Sequence, residues 1–129
     1  MAWIVKVGVA QYLTQSEMEN NATEFYSYFN SKGFTIESVA GMLGNLQQES
    51  NINPGMKQTA SASSGWGLIQ WTPSSNLTDY ANAQGSYWAT GEIQTQLMWD
   101  EIINRYGGQW IPKPVSYTHL RAHETDQYL

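Results

Sequence analysis

The stretch TIESVAGMLGNLQQESNINPG, residues 35–55, decides how this chain folds. Its threonine is a favourable helix N-cap, and apolar side chains then recur at helical spacing as far as Leu46. The sequence NPG at 53–55 cannot continue a helix. We therefore predict an amphipathic helix that begins after that threonine, ends near Asn51 and carries Glu49 in its last turn.

Three further helices are predicted on either side of that stretch. Each has a Ser or Thr N-cap and ends close to a glycine, and they run from Ser16 to Gly33, from Thr72 to the residue before Gly85, and from Thr90 to Gly107. For the first of these, Ser16 and Glu19 fit a capping box. Residues 57–71 are rich in Thr, Ser, Ala and Gly, which is typical of a hairpin or of irregular structure. The pattern predicts a mainly α domain with one short β element.

Length and composition exclude several classes of protein. The 129 residues suffice for one domain around a single core. A formal net charge of -5 repels phosphate backbones, so we expect no nucleic-acid partner. Because the chain has no Cys, it has no disulfide framework, thiolate nucleophile or Cys-ligated zinc. No apolar run reaches the roughly 18 residues of a membrane span, so we expect no membrane insertion.

Both ends of the chain are expected to lie outside the predicted domain. Residues 1–10 are interrupted by Lys6 and lack a basic leader, so we identify no signal peptide. Residues 115–129 look like the in-frame translation of an adapter used to prepare DNA for short-read sequencing. His119 and His123 both lie there, so their i, i+4 spacing does not predict a metal site. The expected organisation is an N-terminal segment at 1–15, a domain at 16–114 truncated from a longer protein, and a non-native tail at 115–129.

Glu49 is the strongest candidate for chemistry. Most glutamates lie on solvated helix faces, whereas this one ends a largely apolar helix between Leu46 and Ile52. Apolar neighbours desolvate a carboxylate, and the negative end of the helix dipole repels it, so both effects favour the protonated acid. A carboxylic acid that stays protonated at neutral pH can act as a general acid. The alternative is an ordinary exposed glutamate at a helix end.

The stretch GWGLIQW at 65–71 is the second unusual segment. The chain has six Trp and eight Tyr against three Phe, and rings with a polar handle suit sugar-binding clefts as well as cores. Gly67 lets a backbone turn tightly or approach a ligand, and the embedded amide of Gln70 must find hydrogen-bond partners. Two interpretations stay open. Either Trp66 and Trp71 pack on the core and the backbone satisfies the amide, or the rings stack on sugars and the amide addresses an N-acetyl group.

Together the two segments resemble a known family. AGMLGNLQQES at 40–50, the pair NP at 53–54 and GWGLIQWTP at 65–73 are similar to the phage tail lysozyme family of muramidase domains, which has relatives among lytic transglycosylases and goose-type lysozymes. The resemblance covers about residues 16–110. It implies an α+β, mainly α, lysozyme-like fold in which a catalytic glutamate closes a helix beside a short β-hairpin wing. The catalytic glutamate carries over to Glu49 and the wing amide to Gln70.

Cleavage of a β-1,4 glycosidic bond needs a proton on the leaving oxygen and a group that manages positive charge at the anomeric carbon. Glu49 would supply the proton, and residues 50–78 contain no Asp or Glu. The acidic residues that follow in the sequence are expected to lie on solvated helix faces, and they are Asp79, Glu92, Asp100 and Glu101. We therefore favour a one-acid scheme, assisted by the substrate's own N-acetyl or 6-hydroxyl group or by a positioned water. It needs no metal or cofactor, and both hydrolysis and formation of an anhydro sugar remain open.

The substrate implied by the resemblance is bacterial peptidoglycan, cleaved between N-acetylmuramic acid and N-acetylglucosamine. Beside Glu49 and Gln70, the residues expected at the substrate are Trp66 and Trp71 as stacking surfaces, Asn45 as an orienting group one helical turn before Glu49, Gly67 and Tyr80. No motif aligns the later aromatic residues, so Tyr80, Tyr87 and Trp88 are candidates only by residue type. We expect a monomer that acts in a phage tail or on the bacterial wall.

Two other classes of function fit the same sequence. A noncatalytic module that binds wall glycan would use the aromatic residues and not Glu49. A structural tail component would keep the fold without the activity.

Overall fold

A computed structural model describes residues 2–106, which form four helices and a small two-stranded sheet. In chain order the elements are β1 (Gly8–Val9), α1 (Gln15–Ser31), α2 (Ile36–Ser50), β2 (Met56–Lys57), α3 (Ser75–Ala83) and α4 (Gly91–Tyr106). The two strands pair in parallel, with Gly8 opposite Met56. This arrangement confirms the predicted α+β, mainly α, fold class.

The first helix begins earlier than predicted. Thr14 is its N-cap and Glu17 completes the capping box, because each side chain bonds the other residue's backbone N–H, at 3.2 and 2.8 Å. The predicted box of Ser16 with Glu19 is therefore wrong. The same Ser/Thr-x-x-Glu pattern occurs twice in overlapping registers, and the earlier one forms. The predicted end of this helix is confirmed, since its C-cap is Lys32.

The other predicted helix ends are largely correct. Thr35 caps α2 by accepting the backbone N–H of Ser38 at 3.2 Å, and α2 stops at Ser50 as expected. Thr90 likewise caps α4. The predicted start of α3 at Thr72 is wrong, because that hydroxyl donates to the carbonyl of Gln70 at 2.9 Å and thus belongs to the preceding loop.

The hydrophobic core fixes the position of α2. Phe25 and Phe29 of α1 and Leu43 and Leu46 of α2 are fully or almost fully buried in one cluster. Burial of each such side chain stabilises the fold by about 1.5–3 kcal/mol. Ile52, just past the end of α2, is 0% exposed in the same cluster, so the carboxyl end of this helix is fixed in position.

Residues 2–13 are packed against the helices, and two buried asparagines hold them. The first, Asn53, lies just after α2 and is 0% exposed. Its Nδ2 donates to the carbonyls of Lys6 and Gln11 at 2.8 and 2.7 Å, and its Oδ1 accepts the backbone N–H of Lys6 and Gly55 at 3.1 and 3.0 Å. This single amide therefore ties two points of the N-terminal segment to the loop that follows α2.

The second asparagine, Asn21, does the same from α1. It is also 0% exposed, and it forms a pair of 2.8 Å hydrogen bonds with the backbone N–H and carbonyl of Ile4. Its Nδ2 also donates to the carbonyl of Ile52 at 2.9 Å. The N-terminal segment, α1 and the end of α2 thus share one buried polar network.

Two glycines allow the segment to approach closely. A Cβ atom at Gly55 would lie 2.6 Å from the carbonyl oxygen of Lys6, which is closer than real Cβ contacts allow. A Cβ atom at Gly91 would overlap the ring of Trp3. The segment that the sequence places ahead of the domain is therefore closely packed against it.

The predicted wing, residues 57–71, is held by isolated bridges and not by regular strands. Trp66 pairs in antiparallel fashion with both Lys57 and Trp71. Gly67 has a φ of +90°, and a Cβ atom there would lie 2.9 Å from Oε1 of Gln94. That glycine is thus needed for close packing of the wing on α4. No helix within residues 2–106 is long and apolar enough to cross a membrane.

Candidate active site

A cleft of about 320 Å³ opens at the carboxyl end of α2. Three parts of the chain line it. The first is the last turn of α2 with its cap, residues 47–51, and the second is the N-terminal group Val9, Ala10 and Tyr12. The third consists of residues 56–58, where β2 runs into the wing, together with Gln70. The cleft therefore brings Glu49 and Gln70 together, although 21 positions separate them in the sequence.

Glu49 is exposed in this cleft, so the expectation of a carboxyl enclosed by apolar walls is wrong. Leu46 and Ile52, the expected walls, are 1% and 0% exposed because they belong to the core. Three residues along a helix correspond to a rotation that leaves side chains about 60° apart around the axis. Leu46 thus faces inward while Glu49 lies at the rim. Within the described chain, Glu49 is the one carboxylate and Lys57 the one cation that line the cleft.

Gln70 has its amide orientation fixed by the backbone. Its Nε2 donates to the carbonyls of Met56 at 3.2 Å and Gly67 at 2.8 Å. Because both partners can only accept, Nε2 must face them, and the opposite assignment of the amide is excluded. No donor within residues 2–106 reaches Oε1 of Gln70, so this oxygen is an available acceptor at the cleft. The backbone satisfies the amide nitrogen, and the residue also lines the cleft, so both sequence interpretations hold in part.

The backbone around the cleft is conformationally unusual. Within residues 2–106, the non-glycine residues with positive φ are Ala10 at 56°, Asn51 at 61°, Ile52 at 57° and Gln70 at 57°. Three of the four line the cleft, and Ile52 follows directly on Asn51. Such conformations cost on the order of 1–3 kcal/mol each and cluster at functional sites, because the surrounding structure must hold them.

Asn51 shows how this conformation is held. It caps α2 in the left-handed region, and its backbone N–H donates to the carbonyl of Gln47 at 3.0 Å. Its side-chain oxygen accepts the backbone N–H of Leu13, and Leu13 is 5% exposed. The residue that ends the helix thereby fixes the N-terminal residues on the opposite side of the cleft.

Trp71 is not available as a stacking surface, contrary to the sequence interpretation. It is 5% exposed within the core cluster, and its indole N–H lies 3.3 Å from each carboxylate oxygen of Glu101. An indole buried in this way presents no face to a sugar.

Trp66 is half-buried, but it is not one of the residues that line the cleft. Its ring centroid lies 5.0 Å from that of Trp88, which lies 5.9 Å from that of Tyr87. We call these three residues the aromatic cluster. Nζ of Lys57 lies 4.0 Å from the centroid of Trp66, at cation–π distance. Lys57 therefore belongs to both the cleft and the aromatic cluster.

The remaining predicted substrate residues lie outside the cleft. Asn45 is half-buried and forms no hydrogen bond with Glu49, so the orienting role is not supported. Gly67 is buried under Gln94 and serves packing. Tyr80 joins α3 to α4, since its hydroxyl donates to Asp100 at 2.5 Å. Burial, together with this hydrogen bond, raises the pKa of Tyr80 to about 12.

None of the later acids lines the cleft. Asp100 accepts from Tyr80, Glu101 from Trp71, and Asp79 is exposed on α3. Glu92 lines a separate cavity of about 330 Å³ together with Glu24 and the ring of Trp3. That cavity contains neither Glu49 nor Gln70. Within residues 2–106 no group of three or more His, Cys, Asp or Glu side chains is placed to hold a metal ion, and His119 and His123 lie outside the described residues.

Sequence reasoning did not predict most of the residues that line the cleft, among them Tyr12 and Lys57. Tyr12 comes from the segment that was placed ahead of the domain, and its only signal was that it is an aromatic residue just before a helix N-cap. Lys57 comes from the wing, where a single lysine between Met56 and Gln58 carries no recognisable pattern.

The fold and the cleft define a class of protein, namely a mainly α domain with a glutamate in the last turn of a helix beside a small wing. The family model described as phage tail lysozyme matches residues 20–126. The chain belongs to the phage tail lysozyme family. The match continues past residue 114, and the assignment of residues 115–129 to an adapter stays a prediction.

A relative from a phage is also similar to this chain. Morphogenesis protein 1 of Bacillus phage B103 is 42% identical over 103 residues, which make up 78% of this chain and 28% of that protein. The chain therefore spans less than a third of this relative's length.

Proposed function

We propose that the chain is a muramidase that cleaves the β-1,4 bond between N-acetylmuramic acid and N-acetylglucosamine in bacterial peptidoglycan, with Glu49 as general acid. One observation carries the proposal. The glutamate in the last turn of α2 and the wing amide Gln70 line one cleft, and no other carboxylate among the described residues does. Family membership supports the same class of activity.

The proposed reaction begins with proton transfer. Glu49, in its acid form, protonates the bridging glycosidic oxygen while the bond from that oxygen to C1 of the muramic sugar breaks. N-acetylglucosamine leaves with a free 4-hydroxyl, and positive charge develops at C1. The glutamate is now a carboxylate and can act as a base in the second half of the reaction.

The second half has two outcomes that one acid can support. In hydrolysis, water adds its oxygen to C1 and its proton returns to Glu49. In formation of an anhydro sugar, the 6-hydroxyl of the muramic sugar adds to C1 and its proton returns to the same carboxylate. In both cases the substrate's N-acetyl group can stabilise charge at C1, which substitutes for a second protein carboxylate.

Exposure of Glu49 in the free protein is compatible with this role. A polysaccharide lying in the cleft would remove water from the carboxyl, and desolvation favours the protonated form. Oε1 of Gln70 would accept the N–H of an acetamido group at the cleft floor.

A structural role is the second candidate, and the relative from phage B103 favours it because that protein is named a morphogenesis protein. A chain that builds a phage particle can keep this fold without turnover. We propose that the chain acts in a phage tail or at the bacterial wall.

Mass spectrometry of fragments released from purified peptidoglycan tests the proposal. A muramidase releases fragments with N-acetylmuramic acid at the reducing end, and an anhydro product is lighter by one water. Fragments with N-acetylglucosamine at the reducing end, or free stem peptides, would mean that another bond is cleaved. Sedimentation with the wall without release of fragments would favour a binding module, and neither binding nor release would favour a structural component.

A further inference from the structure

We propose that the N-terminal wall, formed by Val9, Ala10 and Tyr12, is a sugar-binding subsite in which the ring of Tyr12 stacks on a pyranose of the glycan. This inference rests on the proposed function, since it assigns a further contact to the same cleft. Stacking on a sugar needs an aromatic face that is accessible, held in place and adjacent to the polar groups that bind the rest of the chain.

Tyr12 has the accessibility that the tryptophans of the wing lack. It is 66% exposed, and Val9 beside it is 47% exposed. Within residues 2–106, no hydrogen bond and no ring contact engages the Tyr12 side chain. The ring face is therefore accessible, and Tyr12 and Val9 together leave apolar surface exposed to water beside the cleft.

The backbone on both sides of Tyr12 is fixed. Before it, the carbonyl of Gln11 accepts from Nδ2 of Asn53 at 2.7 Å. After it, the backbone N–H of Leu13 donates to the side chain of Asn51. Binding would thus order little beyond the Tyr12 side chain itself, and a preorganised contact gives more affinity than a mobile one.

The position of Tyr12 suits an N-acetylated polysaccharide. Three groups from three parts of the chain line the cleft, and they are an aromatic face in Tyr12, an acid in Glu49 and an amide acceptor in Gln70. A glycan that occupies all three would present a sugar face, a glycosidic oxygen and an acetamido N–H. Because a glycosidic oxygen joins two sugars, a single sugar cannot present all three groups, which predicts a preference for oligomers.

The N-terminal wall also lies outside the part of the chain that the family model matches, which begins at residue 20. The match therefore gives no reason for the exposed ring. We assign the wall a role in substrate preference, with the acid and the amide contributed by the matched part.

Tyr87 provides a matched control. It is a tyrosine of similar exposure, 59%, but it contacts Trp88 in the aromatic cluster and does not line the cleft. If any exposed tyrosine on this protein could hold a glycan, both would matter equally. If the cleft decides, only Tyr12 should matter.

The test measures binding of peptide-free glycan strands, prepared from peptidoglycan, by calorimetry. The parent is Glu49→Gln, which should bind without turnover. We expect Tyr12→Ala in this background to bind about 5- to 10-fold more weakly, and Tyr12→Phe and Tyr87→Ala to stay within about twofold of the parent. In the active enzyme, Tyr12→Ala should raise KM and leave kcat within about threefold.

The outcomes separate the two proposals. Equal affinity of Tyr12→Ala and the parent would overturn the subsite, as would an equal loss in Tyr87→Ala. A loss in Tyr12→Ala accompanied by a lower Tm than that of Tyr12→Phe would mean a folding defect and also count against it. If Glu49→Gln keeps wild-type turnover, the proposed general acid is wrong whatever Tyr12 does.

Discussion

The cleft and the aromatic cluster share Lys57 and differ in the contacts that their side chains make. The cluster has three aromatic rings, Trp66, Tyr87 and Trp88, and these contact one another. The cleft has one, Tyr12, which contacts none within the described chain. The cleft in turn has the acid, the available amide oxygen and the strained backbone, and the cluster has none of these.

This contrast teaches how to interpret an aromatic composition. A ring face that packs on another ring or on a cation is already covered, so that face brings little further gain to a ligand. A ring whose face is uncovered, and which lies beside polar groups, can still gain affinity for a ligand by burying that face. The residue count alone favours sugar binding by tryptophan, whereas the contacts favour a tyrosine from a different segment.

Glu49→Gln should have the largest effect, because it removes the proton donor from the cleft and leaves the aromatic cluster untouched. We expect the rate of peptidoglycan clearing to fall by about 100- to 10,000-fold, the range for loss of a general acid. Glu37→Gln is the matched control, since it makes the same change at the exposed first turn of the same helix. Equal rates for the two variants would remove Glu49 from the mechanism.

Asn53→Ala should break the cleft by releasing the N-terminal wall. The change leaves four backbone groups without the partners that Asn53 provides. An unsatisfied buried group costs about 1–3 kcal/mol, and we expect the free energy of unfolding to fall by about 3–5 kcal/mol. Urea denaturation measures this.

Asn82→Ala on the exposed side of α3 serves as the control for that change and should stay within about 0.5 kcal/mol of the wild type. If Asn53→Ala is as stable as Asn82→Ala, the buried amide does not hold the segment, and the cleft wall would need another support.

Tyr80→Phe should have the smallest effect and sharpen the comparison, because Tyr80 belongs to neither region. Loss of the hydrogen bond to Asp100 should cost about 1–3 kcal/mol of stability and leave the clearing rate unchanged. A rate change of more than about threefold would place Tyr80 in the mechanism.

The same variant has a pH signature. The pKa of Tyr80 is raised to about 12 from the ordinary value of 10.0, so the folded state keeps its proton to a higher pH than the unfolded state. Its contribution to stability is present below pH 10 and is lost as the pH rises towards 12. Wild-type Tm should therefore fall more steeply than that of Tyr80→Phe in this window. Burial also raises the pKa of Tyr28, so some decline should persist in the variant.

Much of the fold follows from the sequence because local chemistry decides it. The cap at Thr35, the cap at Thr90 and the stop after Ser50 are set by a few neighbouring residues, and all three are confirmed. The predicted start of α1 is two residues late because two overlapping capping boxes fit the same pattern, and the box that forms follows Leu13, whose backbone N–H donates to Asn51.

Sequence reasoning of this kind predicts only part of the candidate site. Glu49 and Gln70 are recognised from short motifs, and they do meet in one cleft. The inward turn of Trp71 and the wall that contains Tyr12 depend on contacts made across the fold. Asn53 could not be identified as the link, since a buried asparagine and a loop asparagine look the same in a sequence.

Chemical-shift mapping by NMR tests most directly whether the cleft, and not the aromatic cluster, holds the glycan. The Glu49→Gln protein would be titrated with peptide-free glycan strands. We expect the largest shifts at Tyr12, Lys57 and Gln70, with Tyr87 unaffected. Shifts centred on Tyr87 and Trp88, with the cleft silent, would contradict it.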